Sequence, residues 1–348
     1  MRILHLLNHT QRLNGHVHAA VDLSCAQSNS GHMSAVASGG GDFDALLAKN
    51  NVEIFSVSHT RKALKLIKSS HVLHKIVKTW KPDLIHAHMM TSAVLAWPIC
   101  QIMRVPLVTT VHNEFERSAI LMGLGNRVIG VSRAVTVSMH KRGIPVRKLH
   151  TVLNGTIGSA RFEYRTSDPL WLGSPAILSV GGQHPRKGLP DLFDAFDIVF
   201  RKFPDARLYI VGDGPFLDAY KTIISKMACA SQVFFTGAQM DPYPWMLGAD
   251  IFVLPSHSDP APLVLSEARE AKCAIVATDV DGVPELLENG EAGILVPPRN
   301  PQALAEVLCS LVSDPEKLNL WKKKSQINIE YLDINRVFQD TMNVYRSI

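Results

Sequence analysis

The stretch Asp259-Pro-Ala-Pro-Leu-Val-Leu-Ser-Glu267 holds two carboxylates eight positions apart, shortly after the apolar run Ile251-Phe-Val-Leu254. The apolar run has the length of a buried strand, and the prolines that follow it predict a turn. Pro262 suits the first turn of a helix, which would place Asp259 in the loop and Glu267 inside the helix. Because open α/β sheets bind ligands beyond the carboxyl ends of their strands, both carboxylates are expected to face such a crevice. A turn-forming Asp and a Glu on a solvated helix face are the structural alternative.

Short apolar runs alternate with amphipathic stretches along the chain, which predicts largely parallel, doubly wound sheets. The first series of predicted strands is Ile3–Leu7, Ser34–Ala37, Val52–Val57, Leu84–His88, Leu107–His112, Val128–Val131 and His150–Leu153. The second series is Ala176–Val180, Arg207–Val211, Val233–Thr236, Ile251–Leu254, Ala274–Ala277 and Gly293–Val296. A polar segment with Pro and Gly, 166–175, separates the two series and is predicted to be a linker.

The length of 348 residues suits two domains, which we place at 1–165 and 166–348. After Pro301 the pattern is helical to the end, and these helices are expected to be able to pack back on the first domain. The chain contains no run of 18 apolar residues, and its N-terminus turns polar too soon for a signal peptide. Five dispersed cysteines in apolar contexts favour reduced thiols, so we expect a cytoplasmic protein.

The charge is divided unevenly between the two predicted domains. Residues 1–165 carry 20 Lys and Arg against 8 Asp and Glu, a net charge of +12. Residues 166–348 carry 16 against 23, a net charge of −7. A first domain this basic should be drawn to an anionic partner. Nucleic acid is not expected to be that partner, because no basic motif with interleaved aromatic residues occurs.

The segment 61–80 concentrates this positive charge. Basic residues at positions 61, 65, 68, 75 and 78 fall on one helical face, while Leu66, Leu73, Val77 and Trp80 line another. Such a helix could lie on the anionic head groups of a membrane, or it could be an ordinary surface helix with a solvated lysine face. The histidine pair His86 and His88 lacks further ligands at suitable spacing, so no metal site is expected there.

The segment from Ala249 to Glu285, which contains the carboxylate pair, resembles the donor-site signature of retaining glycosyltransferases with the GT-B fold. These belong to the large family-4 type, the glycosyl transferases group 1. The resemblance implies two Rossmann-like doubly wound domains that face a central cleft, and it assigns the ribose hydroxyls of a nucleotide-sugar to Glu267. Asp259, where the family has Glu, is assigned to the donor sugar. Leu263 and Val264 begin the predicted helix that carries Glu267, and the resemblance assigns them as further donor contacts.

The stretch Leu178-Ser-Val-Gly-Gly-Gln-His-Pro-Arg-Lys-Gly188 resembles the diphosphate loop of the same family. Glycines let backbone amides approach phosphate, and a neighbouring cation neutralises its charge. The resemblance assigns Lys187 to this task. Gly182 stands where the family has Arg, and Arg186 is expected to compensate. The resemblance also places the loop after Gly237 against the nucleotide base.

In the first domain the resemblance points to the loop after strand one and to the ends of two central strands. Gly15 keeps the second glycine of a family pair, with Asn14 in place of the first, a residue that also tolerates positive φ. His112 is assigned a catalytic contact with the transferred sugar or the incoming hydroxyl, whereas His86 and His88 are expected to be structural. The acceptor is expected to contact the polar residues around these positions, which are His16, Asn113, Glu114 and Arg117.

The resemblance therefore implies a retaining glycosyltransferase that moves a sugar from a nucleotide-sugar, a UDP- or GDP-sugar, to a glycan or lipid-linked acceptor. Cell-surface polysaccharide, lipopolysaccharide and glycolipid assembly are the expected settings, with a peripheral position on the inner face of the membrane. No cofactor is expected. Metal independence is also expected, since no Asp-x-Asp motif is recognised at a strand end in a donor-like context. The alternatives are a sugar-nucleotide epimerase of the same fold and a two-lobed ligand-binding protein that has lost catalysis.

Overall fold

The computed structural model describes residues 1–12, 14–57, 63–163, 165 and 168–348, and it describes only the backbone of residues 63–67. The chain forms two compact units. Unit 1 comprises residues 1–163 and 332–348, and unit 2 comprises residues 164–331. The predicted boundary after residue 165 lies two residues from the end of the first segment of unit 1. The last helix belongs to unit 1, whereas the predicted second domain ran to residue 348.

Unit 1 is a parallel sheet with the strand order β3-β2-β1-β4-β5-β6-β7. Its strands are β1 (Arg2–Leu6), β2 (Met33–Ser38), β3 (Glu53–Ser56), β4 (Leu84–Ala87), β5 (Leu107–Val111), β6 (Arg127–Gly130) and β7 (Leu149–Thr151). Its helices are α1 (Gly15–Asn29), α2 (Asp44–Lys49), α3 (Ala63–Trp80), α4 (Met90–Met103), α5 (Arg133–Lys141) and the C-terminal helix, α13 (Ile334–Arg346). Central strands such as β5 are buried throughout, as expected of a sheet that is covered on both faces.

Unit 2 repeats this plan with the strand order β10-β9-β8-β11-β12-β13. Its strands are β8 (Ala176–Val180), β9 (Arg207–Val211), β10 (Val233–Gly237), β11 (Ile251–Leu254), β12 (Ala274–Thr278) and β13 (Ile294–Val296). Its helices are α6 (Leu189–Lys202), α7 (Leu217–Ile224), α8 (Tyr243–Gly248), α9 (Leu263–Glu270), α10 (Val283–Leu286), α11 (Pro301–Val312) and α12 (Pro315–Lys324). Each predicted strand overlaps an observed strand, with His150–Leu153 shifted by one to two residues from β7, and the predicted fold class of two Rossmann-like parallel α/β domains is confirmed.

Apolar stripes on the helices fix how they cover each sheet. In unit 2 the buried side chains of Phe193 and Phe196 on α6 and Leu304 and Leu308 on α11 belong to one cluster with strand residues such as Ile251. Burial of each such side chain contributes about 1.5–3 kcal/mol to the free energy of folding. In both units the packing leaves the carboxyl ends of the parallel strands to the loops that carry the predicted site residues.

The C-terminal helix, α13, packs on the sheet of unit 1 beside α1. Phe338, Met342 and Tyr345 are buried in one cluster with Ile3 and Val108 of the central strands. The side chain of Asp333 caps the start of this helix by accepting a hydrogen bond from the backbone of residue 335, at 2.6 Å. This packing brings the hydroxyl of Tyr345 into the interior of unit 1.

The helix predicted within 61–80 is α3, and its described side chains show the predicted amphipathicity. Leu73, Val77 and Trp80 are buried, while Lys68 and Lys75 are exposed. Arg61 and the side chains of residues 65 and 66 lie outside the described residues. None of the helices in the described part of the chain is long and apolar enough to cross a membrane.

Candidate functional site

The loop between β11 and α9 holds Asp259 in a nearly closed environment. Asp259 is only 5% exposed, and its Oδ2 accepts hydrogen bonds from Lys187 Nζ at 2.6 Å and from the Ser256 hydroxyl at 3.3 Å. The predicted sugar-binding carboxylate and the predicted phosphate-binding cation are therefore an ion pair. Both side chains are mostly shielded from water, with 17% of the Lys187 side chain and 8% of the Asp259 side chain exposed, so the attraction is little screened.

The backbone of this loop is braced by Asp281, which follows β12. The Asp281 carboxylate accepts a hydrogen bond from the Asp259 backbone amide at 2.7 Å and another from the Ser258 hydroxyl at 2.5 Å. Asp279 and Asp281 form an Asp-x-Asp pair directly after a strand and beside the Asp259 loop, so the expectation that no such motif stands at a strand end in a donor-like context is wrong. In the structure one of these two carboxylates supports the Asp259 loop.

The loop between β8 and α6 lies against the Asp259 loop. The backbone amide of His257 donates to the Arg186 carbonyl at 2.8 Å, and the Arg186 guanidinium donates to the Ser258 carbonyl at 3.4 Å. Gly188 has φ +65°, and a Cβ there would lie 2.0 Å from the Pro255 carbonyl oxygen, so only glycine fits. The predicted phosphate loop and the predicted sugar loop are thus packed together.

A concavity at the carboxyl end of β8 is lined by Gly181, Gly182, Lys187 and Pro255. Gly182, the residue that replaces the family's Arg, leaves the space beside its Cα open, because the nearest described atom outside its own chain neighbours, the Asp213 carbonyl oxygen, would lie 3.9 Å from a Cβ built there. Lys187 is the cation that lines this concavity. Arg186 contacts the neighbouring loop through its backbone and its guanidinium.

Glu267 lies in the first turns of α9 and is 7% exposed. The guanidinium of Arg165 lies 3.5 Å from its carboxylate, 2.9 Å from that of Glu270, and over the ring of Tyr243 at 4.3 Å. Sequence reasoning missed Arg165, because it stands at the edge of the linker and no local pattern connects it to α9. The ribose-binding candidate is therefore a buried carboxylate that is already held by a cation.

The remaining donor candidates surround the same end of the sheet. Leu263 is 8% exposed and begins α9, and Val264 follows it. Gly237 ends β10 with φ +71°, and a Cβ built there would meet no atom of the described residues beyond its chain neighbours within 4 Å. The structure thus brings Gly182, Lys187 and Asp259 into one cluster and places the others on neighbouring elements.

Unit 1 contains a network of buried histidines. His5 on β1 pairs in register with His86 on β4, and His88 and His112 directly follow β4 and β5. Within the network His5 Nδ1 lies 2.9 Å from His88 Nε2, and His88 Nδ1 lies 3.2 Å from His112 Nε2. His86 contacts the hydroxyls of Tyr345 and Thr110, both at 2.6 Å. His86 and His88 were expected to be structural, and the network joins them to the catalytic candidate His112.

Burial keeps these imidazoles neutral. Loss of solvation lowers the pKa of His5 to about 4 and that of His112 to about 3, and it takes the pKa values of His86 and His88 well below the ordinary value. Burial, together with the nearby His9, also lowers the pKa of His16 to about 4. A neutral imidazole has one donor nitrogen and one acceptor nitrogen, so each hydrogen bond in the network has a direction.

Three of these histidines could in principle hold a metal. One ring nitrogen from each of His5, His86 and His88 lies within 4.8 Å of the others. The expectation that the His86 and His88 pair lacks a further ligand did not take account of His5, which lies 81 positions away from His86. Both ring nitrogens of each of the three are already hydrogen-bonded. A metal would have to break those bonds, so the geometry favours a hydrogen-bond network.

The loop after β1 approaches the end of this network. Gly15 begins α1, and Asn14 before it has φ −127°, so the positive φ that the sequence analysis allowed for is not used. The ring of His16 lies 6.1 Å from that of His112, and the buried His16 Nε2 has no hydrogen-bond partner among the described residues.

The other acceptor candidates follow β5. Asn113 and Arg117 are exposed, and Arg117 opens a short 3₁₀ helix. Glu114 is 8% exposed, so its carboxylate is largely withdrawn from solvent.

Two family models match the chain in adjacent segments. The model described as Glycosyltransferase Family 4 matches residues 13–156, and the model described as Glycosyl transferases group 1 matches residues 161–327. The first match covers the histidine-bearing strand ends of unit 1, and the second covers the loops that carry Lys187, Asp259 and Glu267.

Similar proteins with curated descriptions include glycogen synthase of Mycobacterium tuberculosis, at 27% identity over 257 residues. This match covers 68% of the chain and 62% of the relative, so the chain spans less than two thirds of that relative's length. Phosphatidyl-myo-inositol mannosyltransferase of the same organism is 26% identical over 298 residues, which cover 79% of the chain and 77% of the relative. Among solved structures, Anabaena HepE in complex with UDP and glucose matches with a TM-score of 0.84 at 20% identity and covers 100% of both chains.

Proposed function

Since this chain belongs to the family-4 type of glycosyltransferases with the GT-B fold, we propose that it transfers a sugar from a nucleotide-sugar to a glycan or lipid-linked acceptor. The observation that carries the proposal is the cluster at the carboxyl ends of β8 and β11. There a glycine-lined concavity, a cation and a buried carboxylate meet in the matched segment. A nucleotide-sugar has the complementary groups, a diphosphate and a hydroxylated ring.

The chemistry divides among a few side chains. We assign Lys187 to the diphosphate, Asp259 to hydroxyls of the donor sugar, and Glu267 to the ribose hydroxyls. The bond between the anomeric carbon and the phosphate oxygen breaks, and a bond from that carbon to the acceptor oxygen forms on the same face, which retains the configuration. The acceptor's proton passes to the departing phosphate. Lys187 lowers the barrier by stabilising the negative charge that develops on the leaving group.

We further propose that a UDP- or GDP-sugar is the donor and that no divalent metal is required. The likeness to a protein solved with UDP and glucose supports a uridine nucleotide. Lys187, Arg186 and the backbone amides of the glycine loop provide positive electrostatic potential for the diphosphate. Activity that is lost in EDTA and restored by Mg²⁺ or Mn²⁺ would contradict the metal-independent assignment and would direct attention to Asp279 and Asp281.

The acceptor is proposed to contact His16, Asn113, Glu114 and Arg117, and cell-surface polysaccharide, lipopolysaccharide or glycolipid assembly is the proposed setting. The similarity to a phosphatidyl-myo-inositol mannosyltransferase supports a lipid-linked acceptor. A peripheral position on the inner face of an anionic membrane, through the exposed lysines of α3, belongs to the same proposal. Charge reversal at Lys68 and Lys75 should then abolish co-sedimentation with anionic vesicles. A solvated lysine face would show no vesicle binding at all.

A ligand panel tests the central proposal. UDP-, GDP- and ADP-sugars are added to the purified protein, and the melting temperature is measured. A donor at a hundred times its Kd should stabilise the folded state by about 2.7 kcal/mol. The stabilising nucleotide-sugar is then incubated with candidate acceptors, and the products are separated and their anomeric configuration is determined. Free nucleotide together with an epimerised sugar, and no glycosylated acceptor, would indicate an epimerase, and stabilisation by no nucleotide-sugar would contradict the proposal.

A further inference from the structure

A continuous hydrogen-bonded chain links the interior of unit 1 to His112. It starts at the side chain of Gln27 on α1, whose Oε1 lies 2.7 Å from His5 Nε2. His5 Nδ1 then contacts His88 Nε2 at 2.9 Å, and His88 Nδ1 contacts His112 Nε2 at 3.2 Å. Nδ1 of His112 makes no hydrogen bond to any described residue. The hydrogen-bonded chain therefore ends at His112 Nδ1, which no described residue uses.

The amide of Gln27 gives the chain a direction. Its Nε2 donates to the Tyr345 hydroxyl at 3.4 Å, so its Oε1 faces His5 and can only accept. His5 must then carry its proton on Nε2, which leaves Nδ1 as an acceptor. Because His5 Nδ1 accepts, His88 must be protonated on Nε2, and its Nδ1 is then an acceptor. His112 must in turn be protonated on Nε2 in order to donate to His88 Nδ1. His112 Nδ1 is thereby left with a free lone pair.

The hydrogen-bonded chain keeps one direction only while its histidines are neutral, because a doubly protonated imidazole donates from both nitrogens and interrupts the chain. Gln27, His5 and His88 are at most 3% exposed. Their burial lowers the pKa values of both histidines, so they are neutral near pH 7. Inverting the Gln27 amide would reverse every bond in the chain, so the tautomers of the three histidines are coupled.

We propose that Gln27 and His5 are positioning residues that hold His112 in the tautomer protonated on Nε2, so that Nδ1 accepts a hydrogen bond from a substrate hydroxyl. The contact with substrate rests on the proposed function, whereas the tautomer is a property of the protein alone. The inference extends the site to a glutamine and a histidine that lie deep in unit 1. An acceptor at Nδ1 orients a sugar hydroxyl with its hydrogen toward the ring, and the opposite tautomer would present a hydrogen to the hydroxyl oxygen.

Nuclear magnetic resonance tests the tautomer without any ligand. In protein labelled with ¹⁵N-histidine, long-range ¹⁵N–¹H correlations show which ring nitrogen carries the proton, and His112 should be protonated on Nε2 alone. Gln27→Met keeps the side-chain length and removes the acceptor. An unbonded buried N–H is rarer in proteins than an under-used acceptor. His5 should therefore shift its proton to Nδ1 and reverse the chain as far as His112.

A second break and a matched control exclude a simple packing effect. His5→Phe interrupts the chain one link further on and should produce the same change at His112. Ser24→Ala removes another buried polar group of α1, whose only hydrogen bond among the described residues is to the Ala20 carbonyl, and should leave the tautomer unchanged. Protonation of His112 on Nδ1 in the unmodified protein would overturn the inference. An unchanged His112 tautomer in both Gln27→Met and His5→Phe would overturn it as well.

Activity gives an independent readout. If His112 Nδ1 accepts from a substrate hydroxyl, Gln27→Met should lower kcat/KM by about 2- to 10-fold, the loss expected for one hydrogen bond between neutral groups. Ser24→Ala should retain full activity. An unchanged kcat/KM in a Gln27→Met protein whose tautomer has reversed would overturn the substrate contact. Absence of transfer by the unmodified protein would contradict the proposed function and leave the spectroscopic result intact.

Discussion

The pair formed by Lys187 and Asp259 allows a double-mutant cycle that tests stability and binding together. Lys187→Met removes the cation and leaves the Asp259 carboxylate with the Ser256 hydroxyl as its remaining side-chain partner among the described residues. A buried pair broken from one side can cost about 3–5 kcal/mol. Because 17% of Lys187 is exposed and Ser256 still donates, we expect about 1.5–3 kcal/mol, the range for a hydrogen bond to a charged group.

Calorimetry of the single and double variants measures this cost. For a unit of this size each kcal/mol lowers the melting temperature by roughly 2–4 °C, so Lys187→Met should lower that of unit 2 by roughly 3–12 °C. Asp259→Asn should also destabilise, and the double variant should lose less than the sum of the two. Lys202→Met, a change at the exposed end of α6, is the control. Losses that add to within about 0.5 kcal/mol would show that the two side chains do not interact.

The same variants separate the two assigned roles. Asp259→Asn releases Lys187 from its carboxylate partner, so the affinity for a nucleoside diphosphate should hold or rise while kcat/KM falls by roughly 10- to 150-fold. Lys187→Met should weaken nucleotide binding by about tenfold or more. Isothermal titration calorimetry and initial rates measure both quantities. Equal transfer rates for Asp259→Asn and the unmodified protein would refute the contact between Asp259 and the donor sugar.

Three further outcomes follow from the described contacts. Glu267→Gln should weaken nucleotide binding about tenfold, because a charge-assisted contact with the ribose is lost. Glu270→Gln is the control: it removes a carboxylate paired with the same Arg165 guanidinium and should change nucleotide affinity little. Equal effects of the two variants in titration calorimetry would contradict the ribose assignment. Gly188→Ala should destabilise unit 2 and abolish donor binding, because its Cβ would lie 2.0 Å from a carbonyl oxygen at φ +65°, and a normal melting temperature with normal affinity would contradict this. Unit 1 should lose stability as the pH falls from 6.5 toward 4. Burial lowers the pKa of His5 to about 4, so as the pH falls the His5 imidazole takes up a proton in the unfolded chain before it does so in the folded chain. The contribution of neutral His5 to stability is therefore fully present only above pH 6.5. The slope for one histidine is about 1.4 kcal/mol per pH unit, and a melting temperature that stays flat over this range, or a His5→Asn variant with the same pH dependence as the parent, would contradict the assignment.

The strands of both units were predictable because local patterns carry them. Each is a short apolar run between turn residues, and a buried parallel strand needs no other signal. The loops after β8 and β11 were predictable for the same reason, since glycine and proline specify their turns locally. The family resemblance then assigned these loops to the binding of a nucleotide-sugar.

The partners of the site residues were not predictable, because contacts between distant parts of the chain decide them. His5 and His88 are 83 positions apart, and Lys187 and Asp259 are 72 positions apart. Only the pairing of β1 with β4, and of β8 with β11, brings these side chains to one edge of a sheet. Arg165 has no local signal either, because its partners Tyr243, Glu267 and Glu270 lie about 80 to 105 residues further along the chain.

Asp259 shows how these distant contacts alter the meaning of a substitution. Taken alone, an Asp in place of the family's Glu is one methylene shorter, and its carboxylate would lie about 1.5 Å farther from a donor sugar. In the structure Asp281 accepts a hydrogen bond from the Asp259 amide, and Lys187 holds its carboxylate at 2.6 Å. The short side chain is therefore fixed from both ends. A Glu at this position would have to displace Lys187 or bend the loop away from Asp281, so Asp259→Glu should lower kcat/KM even though it restores the family residue. An Asp259→Glu variant with activity equal to the parent would show that the two braces do not set the position of the carboxylate.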